Sequence, residues 1–163
     1  MRRGFTLIET SIYIALFGLL MTGAVVAAYN LLEGSSRAQT RTMLQEEGAF
    51  VHGKIEWALR GADTVSTPAS NAVAASLTVS TYDGTTITID RAGTDMRLDE
   101  GSAPQVLNTS AVGVTKLLFA HTLASGNGTH PETVQFSFEV QALTRNGMLL
   151  SERFPTTTIA LRH

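Results

Sequence analysis

The hydrophobic pattern changes twice along the chain. Apolar residues dominate from Phe5 onward, and the 23 residues Thr10 to Leu32 carry no charged side chain. As a helix this uncharged block spans roughly 35 Å at ~1.5 Å per residue. A bilayer's hydrocarbon core is about 30 Å thick, so the block can cross it with some tilt. From Ser36 to Arg60 the pattern becomes amphipathic. Leu44, Phe50, Val51, Ile55, Ala58 and Leu59 recur at helical spacings, and Arg37, Arg41, Glu46, Glu47 and Lys54 fill much of the remainder. The pattern predicts one long helix, its first half embedded in a membrane and its second half packed on a domain, with Phe50 and Trp57 as core residues of that packing. Gly34, Gly48 and Gly53 weaken such a helix by about 1 kcal/mol each relative to alanine. Gly61 is a fitting C-terminal stop.

Beyond Gly61 the period falls to two. Ala62 to Ser76, rich in Ala, Ser, Thr and Asn, reads as a loop. Leu77 to Tyr82 and Thr85 to Arg91 alternate on either side of Asp83-Gly84, a strong hairpin signal. Met96 to Leu98 predicts a short strand, Val106-Leu107 is too brief to assign, and Val114 to Leu123 predicts another. The clearest strand is Thr133 to Leu143, where Val134, Phe136, Phe138 and Val140 alternate with Gln135, Ser137, Glu139 and Gln141. Asn146-Gly147 marks a second hairpin between that strand and Met148 to Phe154. Thr156 to Leu161 ends the pattern, and Pro155 either breaks the last strand or sets a bulge at a sheet edge. The fold class is therefore α+β, a long N-terminal helix packed on an antiparallel sheet. A sheet with one apolar face needs a cover, and the amphipathic half of the helix is the available one.

A length of 163 residues suits one modest domain. The absence of cysteine excludes disulfides, iron–sulfur clusters, Cys-ligated zinc and thiol catalysis, so the core rests on apolar packing. Of 12 basic and 14 acidic residues, Arg2, Arg3, Glu9 and Glu33 precede Gly34, leaving 10 basic and 12 acidic after it. That balance argues against nucleic acid as a partner, because sequence-independent binding rests on neutralising phosphates.

Catalytic sets are equally absent. His52 reads as a solvated helix residue, His121 as a residue alternating out of a strand, His130 as a loop residue, and with His163 they show no metal-ligand spacing. No serine lies in a Gly-x-Ser-x-Gly turn. Asp95, Asp99 and Glu100 form an acidic cluster read as a loop of solvated acids, with calcium as the alternative occupant. Gly126-Asn127-Gly128 lacks the strand–helix context of a phosphate cradle. No catalytic residue, metal or cofactor is expected.

The chemistry of the N-terminus is more specific. Arg2 and Arg3 precede the apolar block, which holds the short N-terminus on the cytoplasmic side and sends the rest outward. Three readings of the segment compete: a secretory signal cut after it near Ala24, Ala27 or Ala28, an uncut anchor, or a precursor cut before it. Glu9 sits only five residues into the apolar run. A carboxylate there costs about 2.5–3.5 kcal/mol on insertion scales, and such a residue is a functional candidate by default.

The run Arg2-Arg3-Gly4-Phe5-Thr6-Leu7-Ile8-Glu9, followed at once by a spanning segment, closely resembles the N-terminal signature of the type IV pilin and pseudopilin family. The resemblance implies that a prepilin peptidase cuts between Gly4 and Phe5 and methylates the Phe5 amine. It also implies that Glu9 pairs with the Phe5 amine of a neighbouring subunit during assembly. Within one chain the two are four apart on one helix face and could instead neutralise each other.

The layout implied is a leader at 1–4, a transmembrane and filament-core helix at 5–33, an amphipathic continuation at 34–61 and a β-rich domain at 62–163. Implied partners are other pilin or pseudopilin subunits, the prepilin peptidase, the inner-membrane assembly platform and the membrane itself. Implied localisation is a single pass in the inner membrane with the C-terminal domain outside, then a periplasmic or cell-surface filament. The absence of proline before Pro68 and of paired cysteines departs from major pilins, and the segments Val114 to Phe119, Val134 to Val140 and Thr156 to Arg162 resemble minor pseudopilins of the type II secretion J kind or minor pilins of the PilW kind. Two other classes compete: an extracytoplasmic enzyme or binding module on an uncut anchor, and a DNA-uptake competence pilin.

Overall fold

The computed structural model describes residues 6–124 and 131–161. The Gly126-Asn127-Gly128 loop, His130 and His163 lie outside the described residues. The chain divides into two compact units, Met1–Gln39 and Thr40–His163.

One α-helix, α1 (Leu7–Arg60, 54 residues), runs through the predicted embedded and amphipathic halves. It stops where the Gly61 N–H donates to the Trp57 carbonyl at 3.2 Å. In the first unit the helix is exposed on all sides. Its hydroxyls turn inward on the backbone: Ser11 Oγ donates to the Leu7 carbonyl (3.0 Å) and Thr22 Oγ1 to the Gly18 carbonyl (2.8 Å). Such i−4 bonds satisfy polar groups that an apolar surrounding would leave unpaired.

In the second unit the helix buries Thr40, Leu44, Gly48, Val51, Ile55, Ala58 and Leu59, one stripe with steps of three and four. Phe50 and Trp57, expected in the core, are each 49% exposed. They precede Val51 and Ala58 by one residue, and a step of about 100° around the helix carries them off the buried stripe.

Gly48 has a role that the sequence did not disclose. The ring of Phe154 lies against its backbone so closely that a Cβ there would stand 1.9 Å from Phe154 Cζ. Phe154 stacks in turn on Phe138, with ring centroids 4.6 Å apart. The glycine weakens the helix locally and provides the socket for an aromatic pair.

The strands form two antiparallel sheets rather than one. The first has β1 (Ala62–Thr67), β3 (Leu77–Thr81), β4 (Thr86–Ala92), β5 (Asp95–Asp99) and β6 (Gln105–Val106), paired in that order. The second has β2 (Val73–Ala74), β7 (Val112–Thr122), β8 (Thr133–Leu143) and β9 (Leu149–Ala160), also in that order. Both line their inner faces with the residues that alternation picked out: Leu77, Val79, Ile87, Ile89, Met96 and Leu98 in one, Val134, Phe136, Phe138 and Val140 in the other. With Leu44, Val51, Ile55, Ala58 and Leu59 of α1 they make a single core.

The predicted loop Ala62 to Ser76 contains β1 and β2. Only Ala62 of β1 is fully buried, and its register with β3 is irregular at two places, so this edge strand lacks the alternation that reveals a strand. Pro155 does not end a strand. It lies inside β9, an edge of the second sheet, at a bulge where Pro155 and Thr156 together oppose Ser137. An edge strand tolerates a residue with no N–H to donate.

A second bulge corrects the reading of His121. Thr115 and Lys116 together oppose Glu139, and the inward phase of β7 flips there from Val112 and Val114 to Leu117, Phe119 and His121. His121 is buried. Its Nδ1 lies 3.1 Å from the Pro68 carbonyl and its Nε2 2.7 Å from Glu132 Oε1. The ring thereby ties the segment between β1 and β2 to β7 and to the start of β8. His52 is likewise not free in solvent: it is half-buried, with Nε2 3.0 Å from Thr157 Oγ1 and its ring 5.0 Å from that of Phe136.

Candidate anchoring and assembly segment

Gly4 and Phe5 lie outside the described residues. Glu9 lies in the first turn of α1 and is exposed. Thr6 immediately precedes the helix, and its Oγ1 accepts from the Glu9 backbone N–H at 3.4 Å. Thr6-Leu7-Ile8-Glu9 therefore reads as a helix cap with an acid at the third helical position, a pattern present in the sequence but overlooked there. An acid in the first turn also faces the positive end of the helix dipole, worth roughly 0.3–1 kcal/mol. That is smaller than the cost of about 2.5–3.5 kcal/mol for a carboxylate in hydrocarbon, so capping alone does not balance Glu9 in a membrane.

Leu7, Ile8, Ile12, Ile14, Leu16, Phe17, Leu19 and Leu20 are all largely exposed in this unit. The helix is long and apolar enough to cross a membrane. A helix apolar on every side buries itself in lipid or against other helices.

The acidic cluster does not form a metal cage. Asp95 and Asp99 lie in strand β5, not in a loop, and between them stands Arg97, whose Nε and Nη2 donate to the two carboxylate oxygens of Asp90 at 2.9 and 2.7 Å. Asp90 holds the guanidinium pKa above its ordinary value through those hydrogen bonds, and the charges of Asp90, Asp95 and Asp99 add to the effect. The cluster thus carries its own cation. Among the described residues no group of three or more His, Asp or Glu side chains is placed to hold a metal ion.

Asp83 in the first hairpin has its carboxyl pKa lowered, first by the Thr81 hydroxyl and then by the Thr85 backbone N–H. Both belong to the turn.

Residues 1–25 match the family model of the prokaryotic N-terminal methylation motif, the type IV pilin signature. The chain carries that signature on an apolar helix followed by an α+β domain, an arrangement like that of pilins. The motif marks a structural family, implies assembly with pilin subunits and processing by a peptidase, and fits a membrane-anchored protein. No curated protein and no solved structure matches the chain.

Proposed function

We propose that this chain is the precursor of a structural subunit of a type IV filament, used by a pilus, a type II secretion system or a related machine. The observation that carries the reading is the run Gly4-Phe5-Thr6-Leu7-Ile8-Glu9 leading directly into a helix that is apolar on every side. In this reading residues 1–4 are a leader, the peptidase cuts between Gly4 and Phe5, and the Phe5 amine is methylated. The helix then holds the subunit in the inner membrane until it enters the filament. A role as a minor subunit, initiating or capping the filament, is supported by the resemblance of its strand-rich region to minor pseudopilins of the J kind and minor pilins of the PilW kind.

Processing is the direct test. Co-expression with a prepilin peptidase should shorten the chain by the residues 1–4 and leave methylated Phe5 at the terminus, read by mass spectrometry. Gly4→Val should abolish the cut by placing a branched side chain where the backbone must approach the enzyme. An uncut chain, or cleavage near Ala28, would favour an enzyme or binding module on a signal segment.

Glu9 has a separate test. Glu9→Gln removes a charge that is costly in lipid, so the variant should insert and be processed at least as well as the parent. It should nevertheless enter filaments poorly, because the Phe5 amine of its neighbour loses its counter-charge. Crosslinking to other subunits in membranes, with processing followed in the same samples, separates the two effects. Normal incorporation of fully processed Glu9→Gln would remove the assembly role of Glu9 and leave the processing assignment standing.

A further inference from the structure

Two hairpin turns of the second unit differ in character. Between β3 and β4 the chain turns through Tyr82, Asp83 and Gly84, with Tyr82 as the one large apolar side chain. The turn between β8 and β9 is flanked by apolar residues on both sides: Leu143 is 64% exposed, Met148 42% and Leu149 57%. Leu143 and Leu149 are directly opposed across the ladder, so their side chains stand together on one face. The turn itself is well fixed. Thr144 is buried, its Oγ1 accepts from the Met148 N–H at 3.0 Å, and its own N–H donates to the Met148 carbonyl at 2.8 Å. Its carbonyl accepts from the Gly147 N–H at 2.9 Å, and Gly147 takes a φ of 76°, which glycine adopts without strain.

The two turns also differ in place. β9 runs beside α1 in the same direction: Phe154 lies against Gly48, Thr157 against His52, and Thr158 and Ala160 share a hollow with Glu56 and Arg60. From Phe154 back to Leu149 the strand covers ~16 Å at ~3.3 Å per residue. From Gly48 back to Thr40 the helix covers ~12 Å. The β8–β9 turn therefore lies at the Thr40 end of the unit, and the β3–β4 turn at the other end, where Thr81 pairs with Ala62. Thr40 is where the chain arrives from the apolar segment, whose uncharged block ends at Leu32. The residues from Leu32 to Thr40 span roughly 12 Å as helix and at most about 28 Å fully extended. The surface of a membrane holding that segment is thus close to this end of the unit.

Charge suits a lipid surface as well. Arg145 is exposed and is the one charged residue from Leu143 to Leu149. The nearest acids along the two strands are neutralised or turned away: Glu139 pairs with Lys116 at 2.8 Å, and Glu152 lies on the opposite face of β9, across from Val140. Elsewhere at this end Arg41 and Arg91 stand with Glu46, Glu47 and Asp95, so the positive charge belongs to the turn and not to the unit as a whole. Three apolar side chains on a turn offer no groove for a partner's side chain. They match a fluid surface, where leucine and methionine leave water and arginine meets phosphate.

We infer that the β8–β9 turn is a lipid-contacting element: Leu143, Met148 and Leu149 dip into the headgroup region of the membrane that holds α1, with Arg145 among the lipid phosphates. The inference rests on the membrane-anchored part of the filament-subunit reading and gives the domain a second point of contact with that membrane.

The chain contains no cysteine, so a single cysteine carries a polarity-sensitive fluorophore to a chosen site. The full-length protein is reconstituted into phosphatidylcholine vesicles with or without phosphatidylglycerol. At Met148→Cys the emission should shift to the blue and be quenched by lipids bearing a nitroxide near the headgroup. At Tyr82→Cys, on the far turn, it should do neither. Leu143→Ser with Leu149→Ser should lower the ratio of docked to free turn about tenfold, because two leucines no longer leave water. Both leucines are exposed in the domain, so its circular dichroism should be unchanged. Arg145→Gln should weaken the quenching severalfold in vesicles containing phosphatidylglycerol and less in the neutral ones. An unshifted, unquenched Met148→Cys probe in a chain that floats with the vesicles would overturn the inference and leave the membrane anchor standing. Equal quenching at both turns would overturn it too, since the domain would then lie on the lipid without a preferred face. Shielding of Met148→Cys that appears only in cell membranes containing other pilin subunits would make a protein the occupant instead. A chain that does not float with the vesicles would take down the anchor reading as well.

Discussion

Gly48→Ala should destabilise the protein by up to about 2 kcal/mol net, although alanine is the better helix former by about 1 kcal/mol. The added Cβ would stand 1.9, 2.0 and 2.9 Å from three ring carbons of Phe154. The ring cannot turn aside freely, because Phe138 stacks on it at 4.6 Å and 9°. Overpacking of this kind typically costs about 1–3 kcal/mol and outweighs the helix-propensity gain. Gly53→Ala on the same helix meets nothing within 4 Å and should stabilise by roughly 0.5–1 kcal/mol. Urea unfolding of the detergent-solubilised chain, followed by circular dichroism, reads both. Opposite signs for the same substitution five residues apart are the expected result; stabilisation by both would show that the aromatic contact is not maintained in solution. Phe154→Leu should recover part of the loss in the Gly48→Ala background, since a smaller side chain vacates the socket.

The second large effect is expected at Asn108, a buried side chain outside any strand. Its Oδ1 accepts from the Met96 N–H at 2.7 Å, and its Nδ2 donates to the Val112 carbonyl at 2.6 Å. Met96 belongs to the first sheet and Val112 to the second, so one amide joins the two sheets by supplying each with the partner that a strand would have provided. Asn108→Leu nearly conserves volume but leaves a donor and an acceptor without partners. Each unsatisfied buried group costs about 1–3 kcal/mol, giving a loss of about 2–6 kcal/mol in all. Asn108→Asp keeps the acceptor for Met96 and loses the donor, while directing a carboxylate at the Val112 carbonyl, so it should be no better than leucine near neutral pH. A denaturation midpoint within error of the parent for Asn108→Leu would show that water replaces the amide.

These two sites mark where the sequence was legible and where it was not. Strict alternation made β8 readable to the residue, from Thr133 to Leu143, and Asp83-Gly84 and Asn146-Gly147 placed both hairpins. The eight-residue run through Glu9 made the N-terminal methylation motif readable because it is a pattern local in sequence. Failures came where tertiary contacts override local pattern. A bulge at Thr115-Lys116 inverts the phase of β7, and no one-dimensional rule separates His121 from a solvent-facing residue once one extra residue is inserted. Gly48 and Gly53 look alike in sequence, and only the position of Phe154, more than a hundred residues later, distinguishes them. Phe50 and Trp57 failed for a subtler reason: their apolar character suits a core, but a helix buries a stripe, and they fall one residue off it.

Chain order gives the Phe154 contact a further consequence. The helix that carries Gly48 is made before the strands, and the strand that fills its socket is made after the other described ones. Leu161, just beyond that strand, also joins the core. Contacts between such distant positions form only after the intervening loop has closed, and chains rich in them fold more slowly. A chain threaded outward behind an N-terminal anchor would expose the inner faces of both sheets until β9 emerged. Throughout that interval an anchored helix would hold the half-built domain in place, limiting how freely its uncovered strands meet those of other chains.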